Sequence, residues 1–146
     1  MTTTFTVRLA TWPQDRQALI KIRTEVFINE QLVPPDLEWD GYDSDCWHVI
    51  AISNQDQPIG TARLLYDGHI GRMAVLKDFR NQGVGSAMLN HLLTIARHHG
   101  INEVLLNAQT SAIGFYQQHG FVVCSDEFLD ADIPHRAMRK TLSDEI

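Results

Sequence analysis

Arg80-Asn81-Gln82-Gly83-Val84-Gly85-Ser86 separates an apolar stretch, Ile70-Gly71-Arg72-Met73-Ala74-Val75, from an amphipathic one, Ala87-Met88-Leu89-Asn90-His91-Leu92-Leu93-Thr94-Ile95-Ala96. The order reads strand, glycine loop, helix. Two glycines at such a junction let the backbone come close to a ligand. The first turn of the helix leaves N–H groups without intrahelical partners, so a pyrophosphate can be held there without a metal. A strand-to-helix turn in which glycine merely avoids a clash would use the same residues.

About thirty residues on, Ala112-Ile113-Gly114-Phe115-Tyr116-Gln117-Gln118-His119-Gly120-Phe121 reads as a short helix with adjacent aromatics that ends at a glycine and re-enters a strand. Upstream, Phe5 to Ala10 alternates as a first strand, and Asp15 to Phe27 places Ala18, Leu19, Ile22, Val26 and Phe27 at helical spacing. From Asn29 to Ser44 the pattern breaks down. Two adjacent prolines and five acids, Glu30, Asp36, Glu38, Asp40 and Asp43, predict a long irregular loop. It is either a solvated segment or an acidic rim that attracts a cationic amine. Strands follow at Trp47 to Ser53, Gly60 to Tyr66 and up to about Val75. A helix then runs to about His99 with Gly100 as its C-cap, followed by a buried strand at Glu103 to Gln109, the aromatic helix at Ser111 to His119, and strands near Phe121 to Cys124 and His135 to Thr141.

Over 146 residues this alternation predicts one mixed α+β domain spanning 1–146, with no repeat or linker to divide it. A net charge of −6 argues against nucleic acid as a partner. No apolar run is long enough to span a membrane and Met1-Thr2-Thr3-Thr4 leads into no signal-peptide core, so the expected location is cytoplasmic. Cys46 and Cys124 lack Cys-x-x-Cys spacing and read as reduced structural thiols, and no histidine cluster has metal-ligand spacing. His48, at a strand start, reads as a structural histidine. His91, His98, His99 and His119 read as helix-surface or helix-end residues.

Taken together, Arg80-x-x-Gly83-x-Gly85 and the later Ala112-x-x-Phe115-Tyr116-x-x-x-Gly120-Phe121 resemble the GCN5-related N-acetyltransferase (GNAT) superfamily. Arg23, Val26-Phe27, Glu30-Gln31, Ala108-Gln109 and the tail Phe128-Leu129-Asp130-Ala131-Asp132-Ile133-Pro134-His135 resemble its ElaA-type subgroup. In that subgroup the residue before Ile-Pro-His is usually glycine, where this chain has Asp132. The resemblance implies a fold in which two central parallel strands splay apart and admit a pantetheine arm, with acetyl-CoA as acyl donor and no metal. It assigns the backbone of Met73, Ala74 and Val75 to the pantetheine amides. The loop Arg80, Asn81, Gln82, Gly83, Val84, Gly85 and Ser86 goes to the pyrophosphate, with Arg80 shaping it or adding charge, and Gln109 stands where most members carry asparagine.

The implied reaction is attack of an amine on the thioester, with Tyr116 protonating the leaving thiolate. Three residues are candidates for the general base. His69 falls where histone-modifying relatives place a glutamate, His135 ends the Ile-Pro-His tail, and Glu30 lies in the acidic segment. The alternative to an N-acetyltransferase acting on a small-molecule or peptide amine is an acyl-CoA-binding module without turnover. A homodimer is the default assembly.

Overall fold

The computed structural model describes residues 4–142. Eight strands form one mixed sheet in the order β1-β2-β3-β4-β5-β8-β6, with β7 also pairing with β8. Strand β1 (Phe5–Ala10) lies antiparallel to β2 (Cys46–Ser53), which pairs with β3 (Pro58–Leu65), which pairs with β4 (His69–Val75). Strand β5 (Glu103–Gln109) is antiparallel to β8 (Ile133–Thr141) over seven register pairs, from Glu103 opposite Thr141 to Gln109 opposite His135.

The two halves of the sheet meet where β4 and β5 run parallel, and only His69 with Leu105 and Ile70 with Leu106 are in register there. Beyond Ile70 the strands part. A bulge helps to turn β4 away: its register with β3 shifts between Thr61 and Arg63, and Arg72 opposite that shift takes a left-handed φ of +50°.

Helix α3 (Val84–His98) covers one face, burying Val84, Met88, Leu89, Leu92, Leu93 and Ala96 against Val49, Ile59, Leu64, Val104 and Met138. Ile50, on the alternate side of β2, packs instead with Leu19 of α1 (Trp12–Arg23), so α1 covers the opposite face. Helix α1 begins three residues earlier than its apolar spacing indicates. Pro13 sits in its first turn, and the Asp15 carboxylate turns back to accept the Thr11 N–H at 3.0 Å. It continues without a break into a π-helical segment, Thr24–Glu30. The stretch predicted as an irregular loop contains a single helical turn, α2 (Pro35–Glu38), opened by the second proline.

Both glycine-terminated helices end in the same device. At α3, Ile101 N–H donates to the Ala96 carbonyl (3.0 Å) and Gly100 N–H to that of Arg97 (3.2 Å), with Gly100 at φ +74°. At α4 (Ile113–Gln118), Phe121 N–H donates to Tyr116 (3.1 Å) and Gly120 N–H to Gln117 (3.0 Å), with Gly120 at φ +88°. These are Schellman closures, and the Tyr-x-x-x-Gly-Phe spacing is their sequence form.

Strand β6 is reduced to Val122–Val123, and β7 (Phe128–Asp130), absent from the sequence-based assignment, forms a hairpin with β8. Its two-residue turn is Ala131-Asp132, at φ +51° and +63°. Both values belong to the type I′ geometry that favours Asn-Gly, so a glycine in place of Asp132 would suit this turn. Replacing the pair (Ala131→Asn with Asp132→Gly) is expected to stabilise the protein by about 1 kcal/mol, read as a higher urea midpoint at unchanged m. A lower midpoint would mean that the turn is held by contacts of the native side chains.

Candidate active site

The parting of β4 from β5 opens a cavity of about 370 Å³. Its walls include Phe27, Gln31 and Val33 beyond α1, Met73 on β4, Gln109 on β5, Tyr116 on α4, and His69 and His135. Four elements distant in sequence thus bring most of the expected catalytic residues to one space.

Tyr116 is fixed from two sides. Its backbone closes the Schellman turn, its ring meets Phe121 edge-on at 5.8 Å and Phe115 at 5.1 Å, and its hydroxyl reaches across the gap to Met73 Sδ at 3.7 Å. Burial pushes the phenol up to about 12, so it keeps its proton at neutral pH.

The three base candidates fare differently. His135 is buried on β8, and its Nδ1 lies 2.6 Å from the Ile133 carbonyl, which requires the proton on Nδ1 and leaves the Nε2 lone pair free. The ring stacks on Phe128 at 6.0 Å. His69 is half exposed at the start of β4, with Nδ1 at 2.9 Å from the Asp67 carboxylate. Glu30 is not a free base: both its oxygens accept from Arg80 at 2.7 Å, and that hydrogen bonding holds its carboxyl below the usual range. It is also absent from the cavity wall.

Arg80 shapes the loop. Its Nε donates to the Val75 carbonyl at 2.9 Å while its guanidinium grips Glu30. The carbonyl of Val75 therefore already accepts one hydrogen bond, from Arg80. The adjoining residue Gln31 accepts from Gln109 Nε2 at 2.9 Å. Glu30 and Gln31 thereby tie the end of the π segment to both sides of the gap, one to the loop after β4 and the other to the end of β5.

Gly83 precedes α3 at φ +86°, and a Cβ built there would meet nothing within 4 Å, so the position is open to approach from outside. No side chain caps this helix end, and its first intrahelical bond is Ala87 N–H to the Gly83 carbonyl at 3.0 Å. The amides of Val84, Gly85 and Ser86 precede that bond. Gly85 serves a second purpose, because a Cβ there would come within 3.4 Å of Phe115, the neighbour of Tyr116. Asn81, at φ +63°, completes the turn into the loop, and Gln82 anchors it through Nε2 to the Asp78 carbonyl at 3.3 Å.

The acidic segment is solvated only in part: Asp36 is exposed, and two of its acids turn away from solvent. Glu38 and Asp43 fold inward and are buried with Arg23 and Arg63. Arg23 donates to Glu38 (2.7 Å) and Asp43 (2.6 Å), and its guanidinium lies 4.7 Å from the Trp39 ring. Arg63 bonds Asp43 at 2.9 Å and pairs with Asp40. Arg72 reaches the carbonyls of Leu37 and Glu38 at 3.2 Å and 3.1 Å. Against the push of burial, hydrogen bonds from Arg63 and the Tyr42 amide hold the Asp40 carboxyl at about 2. Burial outweighs Arg72 and Arg23 at Glu38, whose carboxyl is raised. The cluster forms the floor beneath the cavity, since Glu38, Arg63 and Arg72 all line it.

Among the described residues, Asp43, Cys46 and His48 bring potential metal ligands within 4.8 Å of one another. Their groups are otherwise committed. Asp43 Oδ1 accepts from both arginines, burial pushes the Cys46 thiol up to about 11, and His48 Nε2 faces the Asp43 carbonyl at 2.8 Å. Burial likewise lowers His48, which stays neutral and structural.

A parallel strand pair that opens beside a glycine-led helix is the layout of the acyl-CoA N-acyltransferases. An acyl-CoA N-acyltransferase from Pseudomonas aeruginosa superposes with a TM-score of 0.82 at 31% identity, covering 94% of this chain and 99% of that one. ElaA from Escherichia coli gives a TM-score of 0.82 at 29% identity over 92% and 99% of the two chains. In sequence, the uncharacterized N-acetyltransferase YjcF of Bacillus subtilis (strain 168) is 40% identical over 82% of this chain and 87% of its own length. Residues 13–142 match the family model described as an acetyltransferase (GNAT) domain, and the chain belongs to that family, with ElaA among its relatives. It is an acetyltransferase by family, and among the described residues no helix is long and apolar enough to cross a membrane.

Arg23→Met would leave Glu38 and Asp43 buried beside fewer cations. The expected loss is about 3–5 kcal/mol in urea denaturation, the scale for breaking a buried ion pair from one side. A loss below about 1 kcal/mol would show that water or repacking replaces the guanidinium.

Proposed function

We propose that this chain transfers an acetyl group from acetyl-CoA directly to a primary amine, without an acyl-enzyme intermediate. The observation that carries the reading is a pair of groups with opposite proton roles facing one cavity: a phenol kept protonated by burial and an imidazole whose Nε2 is left free by the Ile133 carbonyl.

In this reading the pyrophosphate of the donor rests on the amides from Gln82 to Ser86 at the uncapped start of α3. The pantetheine arm enters between β4 and β5, where β4 beyond Ile70 has no partner on its β5 side and offers the backbone groups that face the gap. His135 Nε2 takes a proton from the ammonium, directly or through water. The amine nitrogen then bonds to the thioester carbon, and an N–H on the β4 edge stabilises the oxyanion. As the carbon–sulfur bond breaks, the electron pair leaves on sulfur and Tyr116 supplies its proton. The nitrogen of the tetrahedral adduct loses its second proton, which returns to Tyr116 through solvent, and His135 releases the proton it took to solvent. Holding amine and thioester together in one cavity lowers the entropic part of the barrier.

Acids that could draw a polycation to the cavity floor are neutralised by arginines, so the acceptor enters as a single amine on a body of mixed polarity. Phe27, Val33 and Leu37 provide apolar wall, and Gln31, Asn107 and Gln109 provide hydrogen-bonding groups.

A panel of amines with acetyl-CoA, followed by thiol release, identifies a working acceptor. With it, Tyr116→Phe and His135→Gln are each expected to lower kcat by about 10²-fold or more while CoA still binds. His69→Gln is expected to stay within about twofold of the parent protein. A large loss at His69 with none at His135 would exchange their roles.

The loop is tested separately by calorimetry. Gly83→Val forces a β-branched residue to positive φ and fills the open approach, so CoA affinity is expected to fall at least about tenfold. Unchanged affinity in the folded variant would remove the loop from the donor site.

A further inference from the structure

Ser86 is the third residue of α3, inside the turn whose amides lack intrahelical acceptors. Its hydroxyl lies 3.0 Å from Nε2 of His119. His119 is the C-cap residue of α4, its ring 5.0 Å from that of Phe115 and its carbonyl accepting from Lys140 Nζ at 2.6 Å. Three elements, α3, α4 and β8, thus bring a hydroxyl, an imidazole and an ammonium to the edge of the glycine loop.

A hydroxyl has one proton to give. In the free protein it can be spent on His119. If Ser86 instead donates to an anion at the helix start, Nε2 must carry a proton and donate to Oγ, either as the Nε2–H tautomer, with no net proton uptake, or as the imidazolium, which takes one proton from solvent and is the form that the anion's charge favours. The chain then runs from imidazole N–H to serine oxygen, and from serine O–H to the anion. Burial and the Lys140 ammonium hold free His119 below its ordinary range, so it is neutral at pH 7. Among the described residues Lys140, from β8, is the charged group acting on it, while α3 presents the Ser86 hydroxyl and α4 the Phe115 ring. Among the described residues no carboxylate there offsets Lys140, and a docked anion is a group that can favour the imidazolium.

We propose that His119 is a donor-binding residue that takes up one proton from solvent when the pyrophosphate of CoA docks on α3, coupled to it through the Ser86 hydroxyl. The inference rests on reading the glycine loop as the pyrophosphate site. It makes donor affinity rise as pH falls, because the complex binds a proton that the free protein does not.

Dephospho-CoA is the suitable probe, since it keeps the pyrophosphate diester, which stays ionised throughout, and lacks the terminal phosphomonoester, which titrates near neutral pH. Calorimetry on the folded parent protein is expected to show roughly fivefold tighter binding at pH 6 than at pH 8, with net proton uptake when buffers of different ionisation enthalpy are compared. His119→Gln, whose side chain cannot take up a proton, is expected to bind dephospho-CoA with the same affinity at pH 6 as at pH 8. Ser86→Ala is expected to lose the dependence while leaving His119 in place. A flat pH profile in the parent protein, or an undiminished slope in His119→Gln, overturns the proposal. The Gly83→Val variant separates the two levels: if it binds dephospho-CoA as the parent does, the loop reading itself falls, whereas weakened binding with a flat parent profile overturns the role of His119 alone.

Discussion

Two register pairs between β4 and β5 hold the halves of the sheet together, and the rest of the molecule is arranged around their being only two. A parallel pair continued along its length would seal the backbone of β4 and leave no room for an extended ligand. A pair that parted completely would split the core. The compromise is maintained by elements outside the sheet. Helix α3 packs its apolar stripe against strands from both halves, and the end of the π segment reaches both banks of the gap through Glu30 and Gln31. The gap is thus braced at its floor and its mouth while remaining open between them.

The arginine cluster is the second brace, and it follows from the first. Where β4 bulges at Arg72, its side chain is free to leave the sheet and collect the carbonyls of α2, while Arg63 from β3 and Arg23 from α1 meet the same acids from other directions. Breaking such a set from one side is costly, although replacing the whole by apolar residues need not be. Its value here is positional, since it pins a short, proline-opened turn as one wall of the acceptor cavity.

Much of this was legible in the chain. The glycine loop, the extent of α3, strand β5 and the closure of α4 all rest on local chemistry: glycine at positive φ, apolar spacing, and capping bonds between residues three and five apart. The inward turn of Glu38 and Asp43 is not legible in the acidic segment because the cations they meet lie elsewhere, with Arg63 twenty residues from Asp43 and Arg72 thirty-four from Glu38. Composition records five acids but not the cations that meet them. The differences among His69, His135 and Glu30 were equally out of reach, for they depend on what each side chain bonds to: Arg80 takes both oxygens of Glu30, Asp67 holds Nδ1 of His69, and the Ile133 carbonyl holds Nδ1 of His135. The family resemblance supplied the parallel splay, which no local pattern announces.

The π-helical segment Thr24–Glu30 has a consequence for how the acceptor wall can vary. A regular α-helix advances by about 100° per residue, so removing one residue to restore α geometry would rotate everything downstream by that angle about the helix axis. Phe27, Gln31 and Val33 would then present different faces to the same cavity, and Glu30 would no longer meet Arg80. Chain length in this one segment therefore acts as a dial on the shape of the pocket, independent of which side chains fill it.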